Sequence, residues 1–139
     1  MEKIVLDTNV LIMAVSARNV YHKVWQAFLE GEYTLCVSNE IIEEYLEVLS
    51  NNIGSRVAEA VVYTILTRKN VEMLDPHFRF HLIQVDEDDN KFVDCAIAAN
   101  ATYIVTEDHH FDVLKQVSFP VVAIIGIDRF VEYLTNVND

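Results

Sequence analysis

Short apolar runs alternate with segments that carry apolar residues at helical spacing along most of this 139-residue chain. The runs are apolar throughout instead of alternating with polar residues, so they predict strands that are covered on both faces. Parallel strands need long crossover connections, and helices placed in those crossovers supply the cover. The sequence therefore predicts an α/β fold built on a buried parallel sheet.

No linker interrupts this alternation, because the chain has only three Gly and two Pro and no visible repeat or low-complexity tract. We therefore expect one domain over residues 1–139. The predicted strands are 3–7, 33–38, 71–74, 103–106 and 121–124. Helices are predicted to begin at Thr8 or Asn9 and after Ser38, and to cover 20–31, 55–68, 89–101 and 127–136. Residues 75–85 fit neither pattern, and residues 107–112 are predicted to form a loop.

The charge balance limits the class of protein. Acidic residues outnumber Lys and Arg by 22 to 10, and the net charge of −12 makes the chain a poor passive binder of phosphate backbones. Acids that hold divalent cations are a different case, because a bound cation reverses the local field. The composition thus disfavours a plain nucleic-acid-binding module and leaves a metal-dependent enzyme open.

Location and redox state follow from the apolar pattern. The chain has no stretch of about 18 uncharged apolar residues, so no membrane span is expected. Glu2 and Asp7 interrupt any apolar signal segment, and a cytoplasmic location is the expectation. Cys36 and Cys95 lie inside apolar patterns and are expected to be reduced core residues, with a disulfide as the alternative.

Acidic residues occur where two predicted strands end. Asp7 ends the first strand, and Asp108 closely follows the strand 103–106. In open parallel sheets, ligands bind at the carboxyl ends of the strands, near a switch in strand order. We therefore expect both carboxylates at one edge of the sheet.

The run of acids at residues 86–89 divides into one inward residue and several outward ones. Asp89 begins an i, i+3, i+4, i+7 pattern with three apolar residues and so heads the buried face of its helix. The three preceding acids are expected to cap this helix and to favour its N-terminus, and Asp94 is expected to face solvent. Asp89 is thus predicted to face the sheet.

The helix after Ser38 offers a fourth carboxylate. Glu44 lies one step from the apolar face, where it can lean over the sheet while its stem packs, and Glu43 lies on the opposite flank. Four converging acids, Asp7, Glu44, Asp89 and Asp108, would repel one another, and a divalent cation relieves that repulsion. Oxygen ligands favour Mg²⁺ or Mn²⁺ over zinc, and such a site suits phosphodiester hydrolysis.

The nearby histidines raise the question of a zinc site. His109 and His110 are adjacent in a predicted loop, and neighbouring loop histidines are more often exposed than ligating, so both are expected to face solvent. Asp112 is expected to cap a short helix, with a distal role at the site as the alternative.

Four segments, in this order, resemble PIN-domain ribonucleases, a group that includes many toxins of prokaryotic toxin–antitoxin pairs. The segments are "VLDTNVLI", "SNEIIEEYLEVL", "DDNKFVDCAIAANATYIVTED" and "FPVVAI". The resemblance implies a three-layer α/β/α sandwich with a parallel sheet of about five strands. It also implies a Mg²⁺- or Mn²⁺-dependent endoribonuclease with an RNA substrate and a cognate antitoxin, and it is compatible with a homodimer.

The resemblance also implies roles for individual residues. By position, the catalytic and metal-binding acids are Asp7, Glu44, Asp89 and Asp108, with Glu43 and Glu40 as alternatives to Glu44. Asn9 and Thr106 match polar residues that support the acids in the family, and Lys91 is the basic residue beside the predicted site. The alternative function is a non-catalytic PIN-like scaffold that binds RNA or protein, in which these acids would be splayed apart or paired with Lys or Arg.

Overall fold

The computed structural model describes residues 1–16, 18, 20–84 and 86–137. Within these residues, five strands form one parallel sheet in the order β3-β2-β1-β4-β5. The strands are β1 Lys3–Leu6, β2 Thr34–Ser38, β3 Val71–Leu74, β4 Tyr103–Val105 and β5 Ile124–Ile125. The predicted parallel sheet is confirmed. Val85, in the segment that fitted neither pattern, lies outside the described residues.

Helices cover both faces of the sheet. They are α1 Thr8–Ser16, α2 His22–Leu29, α3 Asn39–Ile53, α4 Ser55–Thr67, α5 Asn90–Ala99 and α6 Ile127–Val137. The chain steps from β1 to β2 to β3 in one direction, so right-handed crossovers place α1–α4 on one face. It then returns past β1 to β4, which places α5 on the opposite face, where it contacts the first four strands. The result is the predicted three-layer α/β/α arrangement.

Burial on both faces explains why the strand sequences are apolar throughout. The consecutive residues Ile4, Val5 and Leu6 are all buried, although their side chains point alternately to opposite faces. On the face of α5, Phe92 packs edge-on against Phe111, with ring centroids 6.4 Å apart. Strand β1 is therefore covered on both faces of the sheet up to its carboxyl end.

Two boundaries near the end of the chain differ from the prediction. Strand β5 is Ile124–Ile125 instead of 121–124, because pairing with β4 begins at Ile124 and Val121 before it is 77% exposed. The predicted loop 107–112 is wrong from His109 onward, where a 3₁₀ helix covers His109–Gln116. Asp108 caps this helix by accepting a hydrogen bond from the backbone N–H of His110 at 2.9 Å. Asp112, which was expected to cap, lies inside the helix.

The prediction that Asp94 faces solvent is also wrong, since Asp94 is only 3% exposed. Its Oδ1 accepts a hydrogen bond from the backbone N–H of Phe80 at 3.1 Å. One turn earlier, Asn90 exchanges two hydrogen bonds with the backbone of Ile83, at 2.9 and 2.7 Å. The irregular segment 75–84 thus lies along this flank of α5 and buries positions that the apolar pattern assigns to solvent.

Cys36 and Cys95 are buried free thiols, as predicted. Burial raises the pKa of Cys36 to about 11, which keeps this thiol protonated and unreactive at neutral pH.

Among the described helices, none combines the length and the apolar character that crossing a membrane requires.

Candidate metal centre

The strand order reverses between β1 and β4, and the candidate site lies where these two strands end. Asp7 follows β1 and is only 5% exposed. Its Oδ1 accepts a hydrogen bond from the backbone N–H of Thr8 at 2.8 Å, and its Oδ2 accepts one from Thr106 Oγ1 at 2.8 Å. The Thr106 hydroxyl also accepts a hydrogen bond from the backbone N–H of Asp108 at 3.0 Å. Thr106 therefore joins the ends of the two strands and fixes the orientation of Asp7.

Asp89 ends the short 3₁₀ helix Glu87–Asp89 that leads into α5, and it is 9% exposed. Its side chain makes no capping hydrogen bond, and its buried Oδ2 has no hydrogen-bond partner among the described residues. Burial raises the pKa of Asp89 to about 7, with further increases from the negative charges of Asp108, Asp86 and Asp7. An acid in this state gains from a cation, because a positive charge stabilises its ionised form.

Asp7 shows the same repulsion from the other side of the site. Burial raises its pKa, and the charges of Asp108 and Glu44 add to this increase, while the hydrogen bonds from Thr106 and Thr8 lower it. The fold therefore brings the acids predicted at two strand ends and on two helices close enough to interact. A group of carboxylates with one buried, unpartnered oxygen fits a divalent cation such as Mg²⁺ or Mn²⁺.

Glu44 is the acid of α3 that approaches this group. The Thr8 hydroxyl donates a hydrogen bond to Glu44 Oε2, and Lys91 Nζ lies 2.7 Å from Glu44 Oε1. Lys91 is only 11% exposed, so this ion pair is shielded from solvent. Glu40, one alternative to Glu44, pairs with Arg79 at 2.7 Å instead.

The ion pairs bear on the scaffold alternative. Glu44 is paired with a lysine, as a scaffold would have it. In the described part of the chain, however, no Lys or Arg forms an ion pair with Asp7, Asp89 or Asp108. The three aspartates keep their charge repulsion, which is the arrangement that a metal site needs.

Two residues at the site have roles that the sequence reasoning missed. Thr8 contacts Glu44, whereas Asn9 is exposed on α1. His110 is exposed, as expected, with 43% of its side chain accessible, but its Nδ1 lies 3.5 Å from Asp108 Oδ1 and 3.6 Å from an oxygen of Asp89. The sequence shows only that His110 follows Asp108 by two residues, and nothing in its pattern indicates that the ring turns toward the acids.

Glu107, the other acid of the "VTED" segment, has a structural role. Its Oε1 accepts a hydrogen bond from the backbone N–H of Ile127 at 2.6 Å, at the start of α6. A Cβ atom on Gly126 would lie only 3.2 Å from the same oxygen, so the glycine leaves room for this cap.

We therefore expect Glu107→Ala to lower the free energy of unfolding by about 1 kcal/mol, the usual cost of a lost helix cap. Its affinity for Mn²⁺ should stay within about twofold of the wild-type value, because the Oε1 of Glu107 is engaged by the backbone N–H of Ile127 at the start of α6. Urea unfolding and a Mn²⁺ titration measure the two quantities. A variant of unchanged stability that no longer binds Mn²⁺ would place Glu107 in the metal centre and contradict this assignment.

Comparison with known proteins agrees with this geometry. The family model described as "PIN domain" matches residues 3–110, and the chain belongs to this family. PIN domains are generally nucleases. The search of curated proteins found no match to the sequence.

The solved structures that share the fold include three VapBC complexes. VapBC2 from Rickettsia felis, bound to a DNA fragment from the promoter, aligns with a TM-score of 0.61 and 19% identity over 89% of this chain and 98% of that chain. DNA-bound VapBC from Salmonella typhimurium has the same TM-score of 0.61 and 19% identity, over 91% and 99%. VapBC-1 from nontypeable Haemophilus influenzae has a TM-score of 0.57 and 14% identity, over 91% and 98%. At these identities the likeness extends to the fold alone.

Proposed function

We propose that this PIN domain, as a single unit over residues 1–139, is an endoribonuclease that depends on Mg²⁺ or Mn²⁺. The observation that carries the proposal is the buried, unpartnered Oδ2 of Asp89 among other carboxylates at the switch point of the sheet. Asp7, Glu44, Asp89 and Asp108 are the proposed catalytic and metal-binding residues, with Asn9, Thr106 and Lys91 in supporting or substrate-binding roles.

Each residue has a part in the proposed reaction. When bound, a divalent ion at these carboxylates supplies an activated water and neutralises charge on the phosphate under attack. Asp7 and Asp89 hold fixed oxygens at the site, and Thr106 keeps Asp7 oriented. Asp108 has the more exposed side chain, at 31% against 13% for Asp89, and its role in the proposal is to accept a proton from the attacking water. Lys91 holds Glu44 in place through their ion pair.

Cations line two clefts beside the acids, where they are mixed with further carboxylates. On one side, Arg79 and Lys91 line a cleft of about 300 Å³ that the irregular segment 75–84 helps to form. The same cleft is lined by Glu40, Glu87, Asp88 and Asp94, and the two cations are paired with Glu40 and Glu44. On the other side, Lys115 and Arg129 line a cleft of about 270 Å³ that also contains Glu107, Asp108 and Asp112. From the sequence, Lys91 was the basic residue beside the site, and the fold adds Arg79 in the same cleft. A strand that crosses the acids would meet cations in each cleft, where they can contact its phosphates.

We further propose that the protein is the toxin of a toxin–antitoxin pair in the cytoplasm. Support comes from the fold shared with the VapBC structures and from the net charge of −12, which suits a basic protein partner. A homodimer is part of the proposal, because pairing two acidic grooves suits the family.

The test is cleavage of a mixed pool of structured RNAs by the purified chain in Mn²⁺, in Mg²⁺ and in EDTA. We expect discrete products with either metal and none with EDTA, because the carboxylates lack the activated water without a cation. Cleavage that persists in EDTA would contradict the metal-dependent mechanism. A protein that binds Mn²⁺ and RNA but produces no cleavage would support the scaffold instead.

A further inference from the structure

The candidate metal centre contains an imidazole as well as carboxylates. His110 Nδ1 lies 3.6 Å from Asp89 Oδ2 and 3.5 Å from Asp108 Oδ1. Single ligand atoms from His110, Asp89 and Asp86 all lie within 4.8 Å of one another. Asp86 stands immediately before the 3₁₀ helix that ends at Asp89 and caps it by accepting a hydrogen bond from the backbone N–H of Asp88.

The two separations from His110 are close to those of atoms that share one ion. Two donors that each bind an ion at about 2.1 Å lie roughly 3.0 to 3.5 Å apart, depending on the angle between the bonds. The gap of 3.6 Å between His110 and Asp89 is too long for a hydrogen bond and slightly wider than this range. Asp89 Oδ2 is buried and has no hydrogen-bond partner among the described residues, so an ion between the two groups would satisfy it.

The position of His110 is set by its surroundings. Its backbone N–H donates a hydrogen bond to Asp108 Oδ1 at 2.9 Å, in the first turn of the 3₁₀ helix. The next residue, Phe111, is fully buried and packs against Phe92 of α5. The side chain of His109 is 95% exposed and lies 3.4 Å from Asp112, whereas that of His110 is 43% exposed. Of the two adjacent histidines, His110 faces the acids.

We propose that His110 Nδ1 is a ligand of the metal centre, on the same ion as Asp89 Oδ2 and with Asp86 as a third donor. The inference rests on the metal site in the proposed function and not on RNA cleavage. An imidazole ligand disfavours Mg²⁺, which binds oxygen almost exclusively, and suits first-row transition ions. The centre therefore selects Mn²⁺ over Mg²⁺, a preference that the carboxylates alone would not provide.

The experiment measures Mn²⁺ binding by the full chain from the electron paramagnetic resonance signal of free Mn²⁺, with Mg²⁺ as competitor. The variants are His110→Ala and His110→Asn, with His109→Ala as the matched control. We expect His110→Ala to raise the Kd for Mn²⁺ at least about tenfold and to change the Kd for Mg²⁺ by less than about threefold. His109→Ala should match the wild type for both ions. Asp86→Asn, which keeps the capping oxygen, should weaken binding of both ions.

A spectroscopic signature separates ligation from an indirect effect. Electron spin-echo modulation of bound Mn²⁺ should show ¹⁴N coupling in the wild type and in His109→Ala, and none in His110→Ala or His110→Asn. Thermal melts show whether each variant is folded, and His110→Asn serves if the alanine variant unfolds. The proposal is overturned if the wild type binds no Mn²⁺ or shows no ¹⁴N coupling. It is also overturned if the His110 variants keep the ¹⁴N coupling. Coupling in a protein that does not cut RNA would sustain this ligand assignment and overturn the nuclease function.

Discussion

Replacing Asp89 with Asn is expected to lower the rate of RNA cleavage by roughly 10²- to 10⁴-fold. Asn keeps the shape of the side chain but removes the charge that attracts a cation. The Asp89 carboxylate is the one whose buried Oδ2 lacks a protein partner, so no other interaction in the described chain replaces the lost charge. The fold should survive, because the side chain makes no capping hydrogen bond that the substitution could break.

Asp88→Asn is the matched control for this prediction. Asp88 lies in the same 3₁₀ helix one residue earlier, carries the same charge and is exposed. We expect its cleavage rate to stay within about threefold of the wild type, since exposed charges contribute little. Single-turnover cleavage of a labelled RNA in saturating Mn²⁺ measures both variants. If Asp88→Asn is inactive and Asp89→Asn retains activity, Asp88 is the ligand and the orientation of the run at residues 86–89 has been misread.

Regular elements made most of the fold and part of the site predictable from the sequence. The apolar run Ile4–Leu6 forms the buried strand β1, and the run ends immediately before Asp7. The end of the run therefore predicts that Asp7 lies at the carboxyl end of this strand. Helical spacing likewise places Asp89 on the inner face of the segment that leads into α5. In both cases a single local period determines the direction of the side chain, so no knowledge of distant residues is needed.

Side chains whose surroundings come from irregular segments could not be predicted in this way. Asp94 is buried because segment 75–84 lies against α5, and that path depends on hydrogen bonds between the backbone of the segment and the side chains of Asn90 and Asp94. The same segment brings Arg79 beside Lys91, a proximity that no periodicity encodes. His110 faces the acids because the 3₁₀ helix buries Phe111 and Leu114, a three-residue spacing too short to distinguish from a loop.

Without a divalent metal, the protein is expected to lose stability as the pH rises from about 4 to about 8. Asp89 has a pKa of about 7 in the folded chain, against an ordinary value of 3.8. The folded state therefore keeps a proton that the unfolded chain has already released. This contribution is fully present below the unfolded pKa and is lost as the pH rises through the folded one. Burial raises the pKa of Asp7 in the same direction, so it adds to the effect.

Asp89→Asn should remove most of this pH dependence, because the amide carries no charge at any pH. One pKa unit corresponds to about 1.4 kcal/mol, so the variant in EDTA at pH 8 should be more stable than the wild type by up to about 4 kcal/mol. At pH 4 the two proteins should differ little, since Asp89 is then protonated. Asp88→Asn, with its exposed side chain, should follow the wild type at both values.

Urea unfolding in EDTA and in Mn²⁺ at pH 4 and pH 8 measures these differences. At a concentration 100 times its Kd, Mn²⁺ should restore about 2.7 kcal/mol to the wild type at pH 8 and much less to Asp89→Asn. Asp89→Asn would then both slow RNA cleavage and stabilise the metal-free fold. A variant that is less active but more stable without metal is expected only if the Asp89 carboxylate destabilises the metal-free fold and its function is to bind the cation. A wild type as stable at pH 8 as at pH 4, unaffected by Asp89→Asn, would mean that the charge at this position is already neutralised by the protein itself.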